Sequence, residues 1–169
     1  MKAVIVSDTT SLIVLEKLAS LGLLCKLFEQ ILIPAVVLAE LQVGSPNITA
    51  LLEHLPCIVV VDVPASKRLS ALLLLLDAGE ANAIELATSL NLPLIIDERK
   101  GRQIAKQFGI RITGFAGLLI QANRSKLVDT HTALAMLDQA VAHGLRLAPS
   151  LQQQVRDVLE HDGFGFSLT

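Results

Sequence analysis

Polar and apolar positions divide the chain into short unbroken apolar runs, most followed by a segment with helical spacing. The first run, Ala3 to Ser7, is rich in β-branched residues and stops at Asp8. Ile31–Ile33, Cys57–Val61 and Pro93–Ile96 repeat the pattern, and Ile110-Arg111-Ile112-Thr113 reads as a short last strand. A strand buried on both faces carries apolar side chains at consecutive positions, so these runs predict a parallel sheet covered on both sides. Between them, helical spacing predicts helices over Ser11–Ala19, Leu21–Glu29, Pro34–Gln42, Asn47–Leu55, Ala65–Asp77, Gly79–Leu90, Glu98–Phe108 and Gly114–Lys126. Pro34 suits a first helical turn, where its missing N–H costs nothing. Strands alternating with helices imply parallel βαβ units with right-handed crossovers. Asp129–Gly144 and Ser150–Glu160 read as two amphipathic helices separated by Pro149, with a loose or locally docked tail from Gly163. The expected architecture is α/β, three layers with a central parallel sheet of about five strands. Residues 1–128 would form the domain proper, and 129–169 a helical extension packed on it.

The acids change this picture from a fold to a site. Asp8 and Asp97 each end a buried apolar run and precede a helix, which places them at the carboxyl edge of the sheet. In open α/β sheets that edge is where ligands bind. Either acid could instead cap the helix that follows it. Glu80 shares a helical face with Ala83, Ile84 and Ala87, whereas Asn82, Glu85 and Ser89 fall on the wetter side. Glu40 sits among Val36, Val37, Leu38, Ala39 and Leu41, with nothing basic within a turn. A carboxylate on an apolar face is costly unless it is paired, solvated or bound to a cation. Glu98, beside Asp97, is an alternative fourth carboxylate. If these acids converge, their repulsion raises pKa values until a cation relieves it. Oxygen donors without His or Cys favour Mg²⁺ or Mn²⁺.

Composition bounds the alternatives. The chain has 169 residues, is 52% hydrophobic and only 3% aromatic, and carries a net charge of −2. A core of Leu, Ile, Val and Ala suits helices on a sheet, while the slight negative charge means that nucleic acid would need local basic clusters. Such clusters occur at Arg99, Lys100, Arg102 and Lys106, at Lys67-Arg68, and at Arg124 with Lys126. They suit either a solvated helix face or phosphate contact. A mean hydropathy of +0.59 does not imply a membrane span, because the longest apolar runs, Ile31–Ala39 and Leu69–Leu76, are interrupted and too short. With no signal-peptide pattern at the N-terminus, the expected setting is cytoplasmic. Cys25 and Cys57, far apart in sequence, are expected as two buried free thiols. The four histidines are scattered, there is no phosphate-binding Gly-rich loop, and Ser7, Thr10 and Ser11 lack His–Asp partners. A receiver-type phosphorylated Asp would call for an acid pair at the first strand end and a late sheet Lys, and neither is evident.

The segments IVSDTTSL, PAVVLAEL, LDAGEANAIELA and LIIDERKGRQIAKQFGIRITGFAGLL, in this order, resemble the PIN-domain family. More narrowly, they are similar to its small prokaryotic branch of VapC-type toxin ribonucleases. The resemblance runs from about Val4 to Val128 and implies a single-domain metal-dependent ribonuclease that hydrolyses RNA phosphodiester bonds. It also implies a homodimer, with a small antitoxin protein as a partner. Carried over, Asp8, Glu40, Glu80 and Asp97 would be the catalytic acids binding Mg²⁺ or Mn²⁺, with Glu98 as a possible ligand. Thr9 or Thr10 would support the site, and Arg99 and Arg102 would contact the substrate backbone. The rival reading keeps the same fold as a catalytically weak module that binds protein or RNA.

Overall fold

The structure is a computed structural model that describes the backbone of residues 2–166 and side chains as far as residue 161. Its sheet has five parallel strands, β1 (Val4–Ser7), β2 (Gln30–Pro34), β3 (Ile58–Val61), β4 (Leu94–Ile95) and β5 (Ile112–Thr113). They lie in the order β3-β2-β1-β4-β5. β1 is therefore central, pairing Ile5 with Ile31 of β2 on one side and Ser7 with Ile95 of β4 on the other. The chain steps from β1 to β2 to β3, then returns across β1 to β4 and β5. The point where strand order reverses thus lies between β1 and β4, and such reversals open a crevice at the carboxyl ends of the strands.

The continuous apolar runs serve two cores because strand side chains alternate in direction. Ile5, Ile31, Ile33 and Ile95 join one core with α1 (Thr9–Lys17), α2 (Leu23–Leu27), α3 (Ala35–Gly44) and α8 (Phe115–Arg124). Val6, Leu32, Leu94 and Ile96 join the other with α5 (Lys67–Leu73), α6 (Ala78–Leu90) and α7 (Arg99–Gln107). The short α4 (Ile48–Leu52) links β2 and α3 to β3. α9 (Thr130–Ala142) and α10 (Pro149–Phe166) lie on the first face, where Leu137, Ala140, Val155 and Leu159 enter the same core as Phe115 and Leu118. Among the described residues no helix is long and apolar enough to cross a membrane.

Several local expectations are corrected. α5 stops at Leu73, short of Asp77, and α1 begins at Thr9, ahead of Ser11. α10 continues past Glu160 to Phe166; the rest of the tail lies outside the described residues. Glu85 is not on a wet face: it is buried, and Arg68 and the Ser66 hydroxyl bond its carboxylate. That pairing holds its pKa below the ordinary value and takes Arg68 out of any basic patch. Cys25 and Cys57 are not separate buried thiols but a disulfide, with Cα atoms 5.5 Å apart. The cause is sheet pairing: the Ile31 N–H bonds the Cys57 carbonyl at 2.8 Å, which sets the start of β3 beside α2.

Candidate active site

Asp8 follows the last residue of β1 and occupies the position preceding α1. Its backbone N–H continues the sheet, bonding the Ile95 carbonyl at 3.0 Å. An acid at this position normally accepts a bond from the helix's second or third N–H, but the Asp8 side chain makes no such cap bond. The residue is buried, with 4% of its surface exposed. Burial, together with Asp77, Glu40 and Asp97, raises its pKa to about 7, against an opposing backbone bond from Thr9.

Glu80 lies in the first turn of α6, where the helix dipole favours a charged carboxylate. Its pKa is nevertheless raised, to about 8, first by burial and then by Asp77, Asp8 and Glu98. Like-charge neighbours in a desolvated pocket outweigh a dipole worth only about 0.3–1 kcal/mol at a surface. The two raised acids thus belong to one cluster that has carboxylate neighbours and no cationic partner among the causes of either shift.

The remaining acids of the cluster are held by neutral donors. Glu40, from α3, accepts a hydrogen bond from the Thr9 hydroxyl and another from the Gly79 N–H at 3.1 Å. Gly79 is needed for that approach: a Cβ there would lie 2.8 Å from Oε1 of Glu40 and closer still to Oε2. Asp97 accepts from the Ser11 hydroxyl and, at 3.0 Å, from the Phe115 N–H that opens α8. Glu98 caps α7, accepting from the Gly101 N–H at 2.8 Å. Asp77 caps α6 through the Glu80 N–H at 2.8 Å.

Asp8, Glu40, Glu80 and Asp97 therefore meet at the carboxyl edge, in the crevice between β1 and β4, while Glu98 lies at its exposed margin. Thr9 is in the cluster through Glu40, whereas Thr10 is half-buried and makes no side-chain hydrogen bond among the described residues. Arg99 is exposed beside Asp97, and Arg102 donates from Nη1 to the Ile96 carbonyl at 2.7 Å. Two members were missed. Asp77 precedes Glu80 by three residues, the spacing of a capping box, and that signal hid its second role. Ser11 follows Asp8 by three, so one turn of helix brings both to the same side.

The donor set is all carboxylate oxygen, and two of its members are held above the ordinary range by burial and, after it, by carboxylate neighbours that no cation offsets. This is the chemistry that a hard divalent cation fits. The side chains are splayed towards their neutral donors, and no group of three His, Cys, Asp or Glu among the described residues is closed to metal-binding geometry.

No curated protein matches the chain. The sequence profile of the PIN domain, a fold of nucleases in general, matches residues 4–161. That match takes in both strand-end acids, both helix-borne acids and the helices behind them, and the chain belongs to the PIN-domain family.

Proposed function

We propose that the protein is an endoribonuclease that uses Mg²⁺ or Mn²⁺, and that it serves as the toxin of a toxin–antitoxin pair. One observation carries the nuclease part: Asp8 ends a central strand with a buried carboxylate that caps nothing and is surrounded by other acids. Asp8 and Glu80, the two acids with raised pKa values, would hold the cation, with Asp97 and Glu40 completing its surroundings. A divalent ion bound there supplies charge neutralisation at the phosphate and acidifies water. The protein's own part is to fix the acids. β1 and β4 are rigid supports, the Ser11 hydroxyl and Phe115 N–H orient Asp97, and the Thr9 hydroxyl and Gly79 N–H orient Glu40. Arg99, exposed beside Asp97, would neutralise backbone phosphate on the way in. The motif order supports the toxin role, and an RNA substrate favours a cytoplasmic setting.

The test is the isosteric change Asp8→Asn. RNA cleavage should require Mg²⁺ or Mn²⁺, stop with chelator, and fall by about 10³-fold or more in the variant, since the ion contributes several kcal/mol to the transition state. Expression of wild type, and not of Asp8→Asn, should slow growth in the absence of an antitoxin. Cleavage that persists in chelator, or equal rates in the two proteins, would leave the same fold acting as a binding module.

A further inference from the structure

Two adjoining cavities, of about 570 and 670 Å³, open beside the acid cluster. Asp97, Arg99, Arg146 and Leu147 line both, so they are parts of one depression that borders Asp97. Its rim carries four cations, with the carboxylates of Asp97 and Glu98 on the side of the acid cluster. Arg99, Arg102 and Lys106 come from α7 at spacings of three and four, which place one cation per turn on a single helix face, about 5 Å apart. The fourth, Arg146, comes from the connection between α9 and α10. None of Arg99, Lys106 and Arg146 has an ion-pair partner among the described residues. The floor is aliphatic, built from Ile112, Ala116, Ile120, Leu147, Leu151 and Val155.

Arg146 is exposed, yet its backbone is tightly set. α9 ends at Ala142, and Gly144 just beyond it stands at φ +101, a conformation that glycine adopts freely. The Leu145 N–H returns to the Ala140 carbonyl and the Gly144 N–H to the Val141 carbonyl, each at 3.0 Å, which is the Schellman pattern. Leu145 is then buried in the core, and Gln152 Nε2 donates to the Leu147 carbonyl at 2.7 Å. Arg146 thus stands between two anchored residues, and shares the lining of the depression with Asp97 and Arg99.

We propose that this depression is a binding groove for single-stranded RNA that leads the strand to the acids, with Arg146 as a substrate-positioning residue in it. A ligand with one negative charge per unit suits cations that recur once per turn, and an aliphatic floor suits the flat faces of unpaired bases. A duplex hides those faces and leaves the floor unused. An acidic peptide would also satisfy the rim, but it has no flat faces to lay on the aliphatic floor. The groove rests on the nuclease reading only for the fate of the strand at Asp97.

The probe is a fluorescein-labelled, mixed-sequence single-stranded RNA of about 12 nucleotides, within the site sizes of single-strand grooves. Binding to the full chain is followed by anisotropy, in chelator so that nothing is cleaved, over a series of salt concentrations. Arg146→Gln and Lys106→Gln should each weaken binding about five- to tenfold at low salt and reduce the log K versus log salt slope by about 0.7, the loss of one phosphate contact. Lys100→Gln, on α7 but outside the groove, should change neither quantity. The salt slope separates charge contact from a structural effect, and unchanged melting temperatures would support it. Wild-type affinity and slope in Arg146→Gln would overturn the groove, as would tighter Arg146-dependent binding of a poly-glutamate peptide or of the duplex. Adding Mn²⁺ separates the two claims. Arg146-dependent binding without cleavage by wild type removes the nuclease reading and keeps the groove. Cleavage with KM unchanged in Arg146→Gln removes the groove and keeps the nuclease.

Discussion

An acid just before a helix is ordinarily used to cap that helix. Glu98 and Asp77 are spent in that way, and Asp8 is not. The sequence displays the apolar run before Asp8 but cannot display the missing cap bond, which depends on where β4 and α6 come to lie. Asp77 shows the opposite failure, since its cap pattern is legible while its repulsion of Asp8 and Glu80 is a matter of tertiary distance. Burial, and that repulsion added to it, have a measurable sign. The folded-state pKa values of Asp8 and Glu80, about 7 and about 8, stand above their ordinary 3.8 and 4.5. In the interval between, the folded chain holds protons that the unfolded chain has lost, so stability falls as pH rises from about 4 to about 8. Metal-free protein should melt lower at pH 8 than at pH 5, each kcal/mol lost costing about 2–4 °C for a chain of this size. Mn²⁺ should restore the melting temperature at pH 8 through preferential binding to the folded state. Asp8→Asn should show a shallower pH slope and a smaller response to Mn²⁺ in the same calorimetric scans. Parallel curves for the two proteins would mean that the acids do not repel one another as described.

Among the elements, the alternation of strands and helices was legible because each buried strand is a continuous apolar run. Element ends were not. The leucines from Leu69 to Leu76 give α5 no stop signal, yet it ends at Leu73, where the chain turns so that Asp77 can cap α6. That turn matters for the site, because the start of α6 also holds Glu40 through the Gly79 N–H. Gly79→Ala separates the two duties. Alanine is the better helix former by roughly 0.8–1.0 kcal/mol in a helix interior, but its Cβ would push into the Glu40 carboxylate. We expect a folded variant that melts within a few degrees of wild type and cleaves RNA at least about tenfold more slowly, a loss of about 1.4 kcal/mol. Circular dichroism and initial rates would check it. Undiminished activity would show that Glu40 does not need this support.

Over the whole molecule, two features depend on packing that no local pattern reveals. The Cys25–Cys57 disulfide, at a sequence separation of 32, follows from the β2–β3 pairing. It closes a loop containing β2 and α3, so reduction should destabilise the fold by about 3–4 kcal/mol on the chain-entropy estimate, read as a lower urea midpoint in dithiothreitol. The second feature is where the apolar surplus goes. On the early helices it goes inward: Leu12, Leu15, Leu24 and Leu27 are all buried. At the end of α5 the reverse holds: Leu73, Leu74 and Leu75 are 45%, 87% and 53% exposed. Consecutive exposed leucines at a helix end mark an interface more often than a free surface. A two-fold self-association is the commonest way for a soluble chain to cover such a patch, because each copy then covers the other's. Since Asp77 lies three residues beyond Leu74, this interface would border the acid cluster without entering it. Light scattering at micromolar concentration should therefore give a dimer for the wild type. Leu74→Glu should give a monomer that melts close to the value of the dissociated wild type, because the side chain contributes almost nothing to the core of its own chain. A wild-type monomer, or a Leu74→Glu dimer, would show that the patch is not the contact.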